Sequence, residues 1–180
     1  IMNDSNKGMI RISFGGVGRN ICENLARLKT DITFITIIGS DSLGKLMLEE
    51  LEELGVNVIV PDNVMNTSSY MAIHDHTGDM LLAINDMDIF NLMDVPYLQS
   101  LDHIINKFDY LICDGNLTQE TIDYIFNTYH NQRILVDGIS TKKVMKFANH
   151  LDKIYLLKCN IYEAQALVKK EIYESELLSQ

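Results

Sequence analysis

The residues most able to do chemistry lie at two strand-to-helix junctions, near opposite ends of the chain. The first is Gly15-Gly16-Val17-Gly18-Arg19-Asn20. It follows an alternating segment, Met9 to Ser13, with strand periodicity, and leads into Ile21 to Leu28, which has helix periodicity. Glycines there let the backbone turn sharply and bring a ligand close to the free N–H groups of a helix start. The second junction is Asn160-Ile161-Tyr162-Glu163. An Asn and a Glu three apart share one face of a helix start. Their oxygens suit a hydrated Mg²⁺ and its phosphate, and the same spacing suits an N-cap Asn with a capping-box Glu.

The elements between these junctions must position them. Ile32 to Ile38 and Val56 to Val60 read as strands around a helix from Lys45 to Leu54, closed by Gly55, which makes a βαβ unit and a parallel sheet. Ser69 to His74 and Met80 to Ile84 flank the turn Asp75 to Asp79 and read as a β-hairpin. The α/β rhythm then resumes. An amphipathic helix is expected over Val95 to Lys107, a strand over Tyr110 to Cys113, and a helix from its cap Thr118 to Tyr129. Strands at Ile134 to Asp137 and Ile154 to Leu157 follow, with a helix opened by Ser140 or Thr141 between them and a last one near Ile161. Ligands of open α/β sheets bind beyond the carboxyl ends of strands, where this chain has Asp41, Asp114, Asn116, Asp137 and Asn160.

Composition removes several function classes. A formal net charge of −10 argues against a nucleic-acid backbone or an anionic membrane as the main partner. Cys22, Cys113 and Cys159 are odd in number and far apart, so they read as reduced thiols of a cytoplasmic protein rather than a disulfide or zinc framework. No apolar run approaches bilayer-spanning length. Gly39 to Lys45 has P-loop spacing, but Leu46 stands where a Mg²⁺-binding hydroxyl is needed. Gly16-Val17-Gly18 begins a dinucleotide fingerprint, and Ile21 occupies its third glycine position. His74 and His76 flank the hairpin turn without a third metal ligand nearby.

Taken together, the glycine loop, the Gly39-Ser40-Asp41-Ser42-Leu43-Gly44 turn, the hairpin and Lys158-Cys159-Asn160-Ile161-Tyr162-Glu163 resemble the ribokinase-like (PfkB-type) carbohydrate and nucleoside kinases. The last motif is similar to the family's Lys-Pro-Asn-x-x-Glu, with Cys159 in place of proline, a change expected to loosen the backbone. Gly15 to Leu28, Asp79 to Asp88 and Asp137-Gly138-Ile139-Ser140 resemble the pseudouridine kinases within that family.

The resemblance implies a three-layer α/β/α fold with a mostly parallel central sheet and a small projecting β lid. It implies one domain over 1–180, incomplete, with lid segments at about 5–13 and 67–85. It implies ATP- and Mg²⁺-dependent phosphorylation of a nucleoside or sugar 5′-hydroxyl, with pseudouridine first and ribose, fructose or adenosine as competitors. By resemblance, Gly15, Gly16, Arg19, Asn20, Asp41, Ser69, Tyr70, Asn85, Asp114 and Asn116 would bind substrate. Lys158 and Asn160 would serve ATP, and Asn160 and Glu163 the Mg²⁺ through water. The hairpin would either cover the chain's own site or pair with that of a second copy in a homodimer. The family's catalytic Gly-Ala-Gly-Asp stretch and its first strand do not occur in these 180 residues, so the chain by itself is expected to be inactive. A noncatalytic sugar- or nucleoside-binding protein is the alternative from another class.

Overall fold

The computed structural model describes residues 7–62 and 64–169. Helix α1 (Val17–Arg27) leads to strand β1 (Thr33–Ile35), helix α2 (Ser42–Glu53) and strand β2 (Asn57–Ile59). β1 and β2 pair in parallel, the βαβ unit expected from the alternation of patterns. Gly55, at φ 77°, turns the chain out of α2 as only glycine does without strain. Cys22, Leu51 and Val56 form a small core between these elements.

Strands β3 (Ser69–His74) and β4 (Met80–Asp86) make the antiparallel hairpin. Its turn is tied by the Asp75 carboxylate, which accepts from the Thr77 N–H, the Thr77 hydroxyl and the Asp79 N–H. The hairpin packs few of its own apolar side chains. Tyr70, Met71, Ile73, Leu81, Leu82 and Ile84 are all exposed.

The second half holds strands β5 (Tyr110–Asp114), β6 (Arg133–Asp137) and β7 (Ile154–Lys158), paired in parallel in that order. Helices α3 (Val95–Ser100) and α4 (Asp102–Ile105) precede β5, and α5 (Gln119–Thr128) crosses to β6. The short helix α6 (Thr141–Val144) runs into a 3-10 segment, Met145–Lys153, before β7. Helix α7 (Ile161–Val168) closes the described chain. The period of two sends Cys113, Ile134 and Val136 into the main core, with Ile122, Phe126, Tyr129 and Phe147. The opposite face, carrying Tyr110, Ile112 and Leu156, is exposed.

Two expectations need correction. Met9 to Ser13 is not a strand: no described segment pairs with it, and Ile10 and Ile12 are 91% and 73% exposed. Without a partner its N–H and C=O groups have no ladder to join. The part of the expected lid before residue 7 lies outside the described residues. The single helix over Val95 to Lys107 is instead α3 and α4, broken at Leu101, where bonding tightens from Leu101 N–H to the Leu98 carbonyl. Just beyond the break, the Asp102 carboxylate accepts the hydroxyls of Tyr124 and Tyr129 from α5 and its C-terminus. The parallel strands of this fold lie in a pair, β1 and β2, and a triplet, β5 to β7.

Candidate functional site

Register builds the site. Asp114 pairs with Asp137, and Asp137 with Lys158, so three polar side chains stand abreast at the carboxyl edge of β5, β6 and β7. All three fall on the exposed-face parity of their strands, which projects them out of the core. Asp137, only 6% exposed, takes the Lys158 ammonium at 3.1 Å on one oxygen and the Ile139 N–H on the other. The Asp137 carboxylate, in turn, raises the Lys158 pKa. Gly138 N–H donates to the Lys158 carbonyl, and Ile139 then takes φ 62°, a left-handed conformation unusual for a β-branched residue.

At the far end of the row, Asn160 and Glu163 form a complete capping box. The Asn160 side chain accepts from the Glu163 N–H at 2.9 Å, and Glu163 Oε2 accepts from the Asn160 N–H at 3.0 Å. Glu163 Oε1 receives the Asn160 side-chain amide, and the carboxylate is 2% exposed. The cap is therefore real, and it parks a buried negative charge beside Gly138, where any Cβ would come within 2.8 Å of Glu163 Oε2. Each Glu163 oxygen keeps one lone pair.

At the near end, the glycine loop meets Asp114. A Cβ on Gly18 would lie 3.5 Å from Asp114 Oδ2 and from the Phe34 ring, which places the α1 start in van der Waals contact with the strand end. Gly16 is the α1 N-cap at φ 95°, with no side chain capping the first turn. Asn20 is exposed one turn later. Arg19 is otherwise engaged: it is 7% exposed, and its two terminal nitrogens bind Glu23 and Glu50 at 2.8 Å each. It ties α1 to α2. Asp41 is engaged as well. Its carboxylate accepts from the Gly44 N–H, the Thr67 N–H and the Thr67 hydroxyl, all at 2.8 Å, and these donors lower its pKa. Ser69, Tyr70 and Asn85 stand on the hairpin, Tyr70 and Asn85 as register partners.

Sequence reading missed Lys143 and Lys146. Lys143 Nζ donates to Asn116 Oδ1 at 2.5 Å, and Lys146 Nζ donates to the Gly115 and Leu117 carbonyls. Burial and the neighbouring Lys143 charge lower the Lys146 pKa. The only signal was a pair of lysines just inside a Ser140-capped turn, which reads equally as a solvated helix start. The thiols behave as expected of core cysteines: burial raises Cys22 to about 11 and Cys113 to about 12, so both stay protonated at neutral pH. Burial also raises Cys159.

A family model for the pfkB family of carbohydrate kinases matches residues 3–180. The chain belongs to that family. Among curated relatives, this pfkB-family chain is 39% identical over 168 residues to a pseudouridine kinase of Escherichia coli, a match covering 91% of the chain and 53% of that protein. Among solved structures it matches a carbohydrate kinase from Agrobacterium tumefaciens with TM-score 0.83 and 29% identity, over 93% of the chain and 56% of the other. It also matches ribokinase from Thermotoga maritima with TM-score 0.69 and 22% identity, over 92% and 54%. The fold is thus the ribokinase-like three-layer α/β/α fold. The chain spans about half the length of the relatives it matches.

Proposed function

We propose that this chain carries the acceptor-binding part and one side of the phosphate site of an ATP-dependent nucleoside or sugar kinase, with pseudouridine as the acceptor. The observation that carries the reading is the row Asp114, Asp137, Lys158 in strand register, flanked by the Gly15–Gly18 loop and the Asn160–Glu163 cap. The 39% identity to a pseudouridine kinase supports the choice of acceptor.

In this reading Gly15, Gly16, Asn20 and Asp114 grip sugar hydroxyls, while Ser69, Tyr70 and Asn85 on the hairpin cover the base. Arg19 and Asp41 act indirectly. Arg19 fixes the glycine-loop helix on α2, and Asp41 locks the turn before α2 to Thr67. Lys158 and Asn160 meet the phosphate end of ATP, and Glu163 holds Mg²⁺ through water. Bound Mg²⁺–ATP supplies the transferable phosphoryl group and neutralises charge on it. What these residues contribute is alignment of the acceptor hydroxyl and a polar, ordered strand edge. No residue of the chain is assigned as catalytic base. The setting in this reading is cytoplasmic, as the family resemblance implies. Among the described residues no helix is long and apolar enough to cross a membrane.

The test is ATP consumption by the protein as encoded, in Mg²⁺, with pseudouridine, ribose, fructose and adenosine offered in parallel. The expected result is turnover on pseudouridine at the highest kcat/KM. Turnover on another of the four with none on pseudouridine would remove the acceptor assignment, and none on any would remove the kinase reading.

A further inference from the structure

The Asn116 side chain lies between two charges. Its Oδ1 accepts from Lys143 Nζ at 2.5 Å, and its Nδ2 donates to Asp114 Oδ2 at 3.1 Å, while its backbone N–H donates to Asp114 Oδ1 at 2.8 Å. Both ends of the amide are therefore engaged inside the protein, and the Asp114 carboxylate lies against Gly18 of the glycine loop.

We propose that Lys143 is a positioning residue for the acceptor: through Asn116 it fixes the Asp114 carboxylate against the α1 start. This rests on the kinase reading above and assigns a residue that the reading does not otherwise use.

The chemistry decides the direction of the amide. An ammonium offers only donors and a carboxylate only acceptors. Flipping Asn116 would set its NH₂ against the Lys143 ammonium and its carbonyl against Asp114, repulsive at both ends. Asp114 and Lys143 thus select the same orientation from opposite ends, and Lys143 adds the charged donor that pins the carbonyl end. The selected one supplies each Asp114 oxygen with a single N–H, so the remaining lone pairs stay free for hydroxyls. Charge at both ends polarises the amide between them and strengthens both bonds.

The approach of Lys143 is built into the backbone. A Cβ on Gly115 would meet the Lys143 Cβ at 2.7 Å, so glycine is what admits α6 this closely. The Ser140 cap then orients the first turn of α6 by accepting the Lys143 N–H. Lys146 holds the same loop by its carbonyls, independently of the amide.

The experiment compares Lys143→Met, Lys143→Arg and Asn116→Asp with the unaltered protein as encoded, measuring KM for the acceptor, KM for ATP, kcat and melting temperature. Lys143→Met keeps the length of the side chain and removes its charge, and it is expected to raise acceptor KM about tenfold. ATP KM should stay within about twofold, because the phosphate end does not depend on this amide. Lys143→Arg should recover most of the loss. Asn116→Asp keeps a partner for Lys143 and removes the donor to Asp114, so it should reproduce the acceptor defect if Lys143→Met fails to fold. An active unaltered protein whose Lys143→Met variant keeps its acceptor KM overturns this inference alone. So does a loss that raises both KM values together with a lowered melting temperature. An unaltered protein that phosphorylates no acceptor overturns the kinase reading and this inference with it.

Discussion

At the scale of single residues, the site distinguishes side chains that face outward from those used up in holding others. Asp41 shows the difference. Three donors from Gly44 and Thr67 engage both of its oxygens and lower its pKa. A carboxyl with a depressed folded pKa adds stability that is fully present above its ordinary range, near 4, and is lost as pH falls through the folded value. Asp41→Asn retains a cap for α2 but turns an NH₂ toward the Thr67 N–H. It should lower the melting temperature by a few degrees at pH 7. That difference should shrink below pH 4 as the wild-type carboxylate itself protonates. Melting curves at pH 7 and pH 3 check this, and a gap that widens in acid contradicts it. Arg19 teaches the same lesson. A cation inside a glycine motif invites a ligand role, yet two carboxylates hold it. Residue type was legible in the sequence. Whether its hydrogen-bonding capacity was already spent was not, since the partners Thr67 and Glu50 lie far away along the chain.

At the scale of elements, local signals and the pairings of sequence neighbours were legible, while the partner of an isolated strand pattern and tertiary breaks in a helix were not. The Asn160–Glu163 spacing, the Thr118 cap, Gly55 and the hairpin turn each satisfy their own backbone groups, and each formed where expected. Met9 to Ser13 has strand alternation, but a strand needs a neighbour. Val95 to Lys107 has helix periodicity, but the pull of Tyr124 and Tyr129 on Asp102 is tertiary. Lys143 and Lys146 were invisible for that reason too. The hairpin poses the opposite problem: it is fully formed and almost uncovered, with Leu82 and Ile84 each more than half exposed. Apolar area of that kind, flanked by strand edges, marks an interaction surface. Of the two roles the resemblance implies for the hairpin, pairing in a homodimer predicts that Leu82→Glu converts a dimer to monomer in sedimentation velocity and leaves the far-UV circular dichroism unchanged, whereas a lid over the chain's own site leaves the sedimentation unchanged. A protein that is monomeric before substitution refutes the homodimer.

At the scale of the whole molecule, the chain has two separate cores. One lies between α1, α2, β1 and β2, around Cys22, Leu51 and Val56. The other lies under β5, β6 and β7 and reaches into the first half through Ile37 and Val64, with Ile35 of β1 packed against it. The parallel α/β rhythm made this class of fold readable from the sequence, because strand and helix periods alternate. The split into two sheets was not readable, since hydrogen bonding between distant strands leaves no local mark.

The approach of Gly18 to Asp114 has a dynamic consequence. It joins segments from opposite halves of the chain, whereas the row from Asp114 to Glu163 is assembled from neighbouring elements. Closing the longer loop costs more entropy and returns fewer contacts. The first core should therefore open as a unit while the second stays closed, with the glycine loop leaving Asp114 before β6 loses its ladder. Native-state hydrogen exchange reads this directly: amides within α1, from Ile21 to Arg27, should exchange at lower opening free energy than those of Leu135 and Val136. Equal protection in both would mean that the two cores unfold as one. If they do not, the contact between the glycine loop and Asp114 is where the molecule opens first.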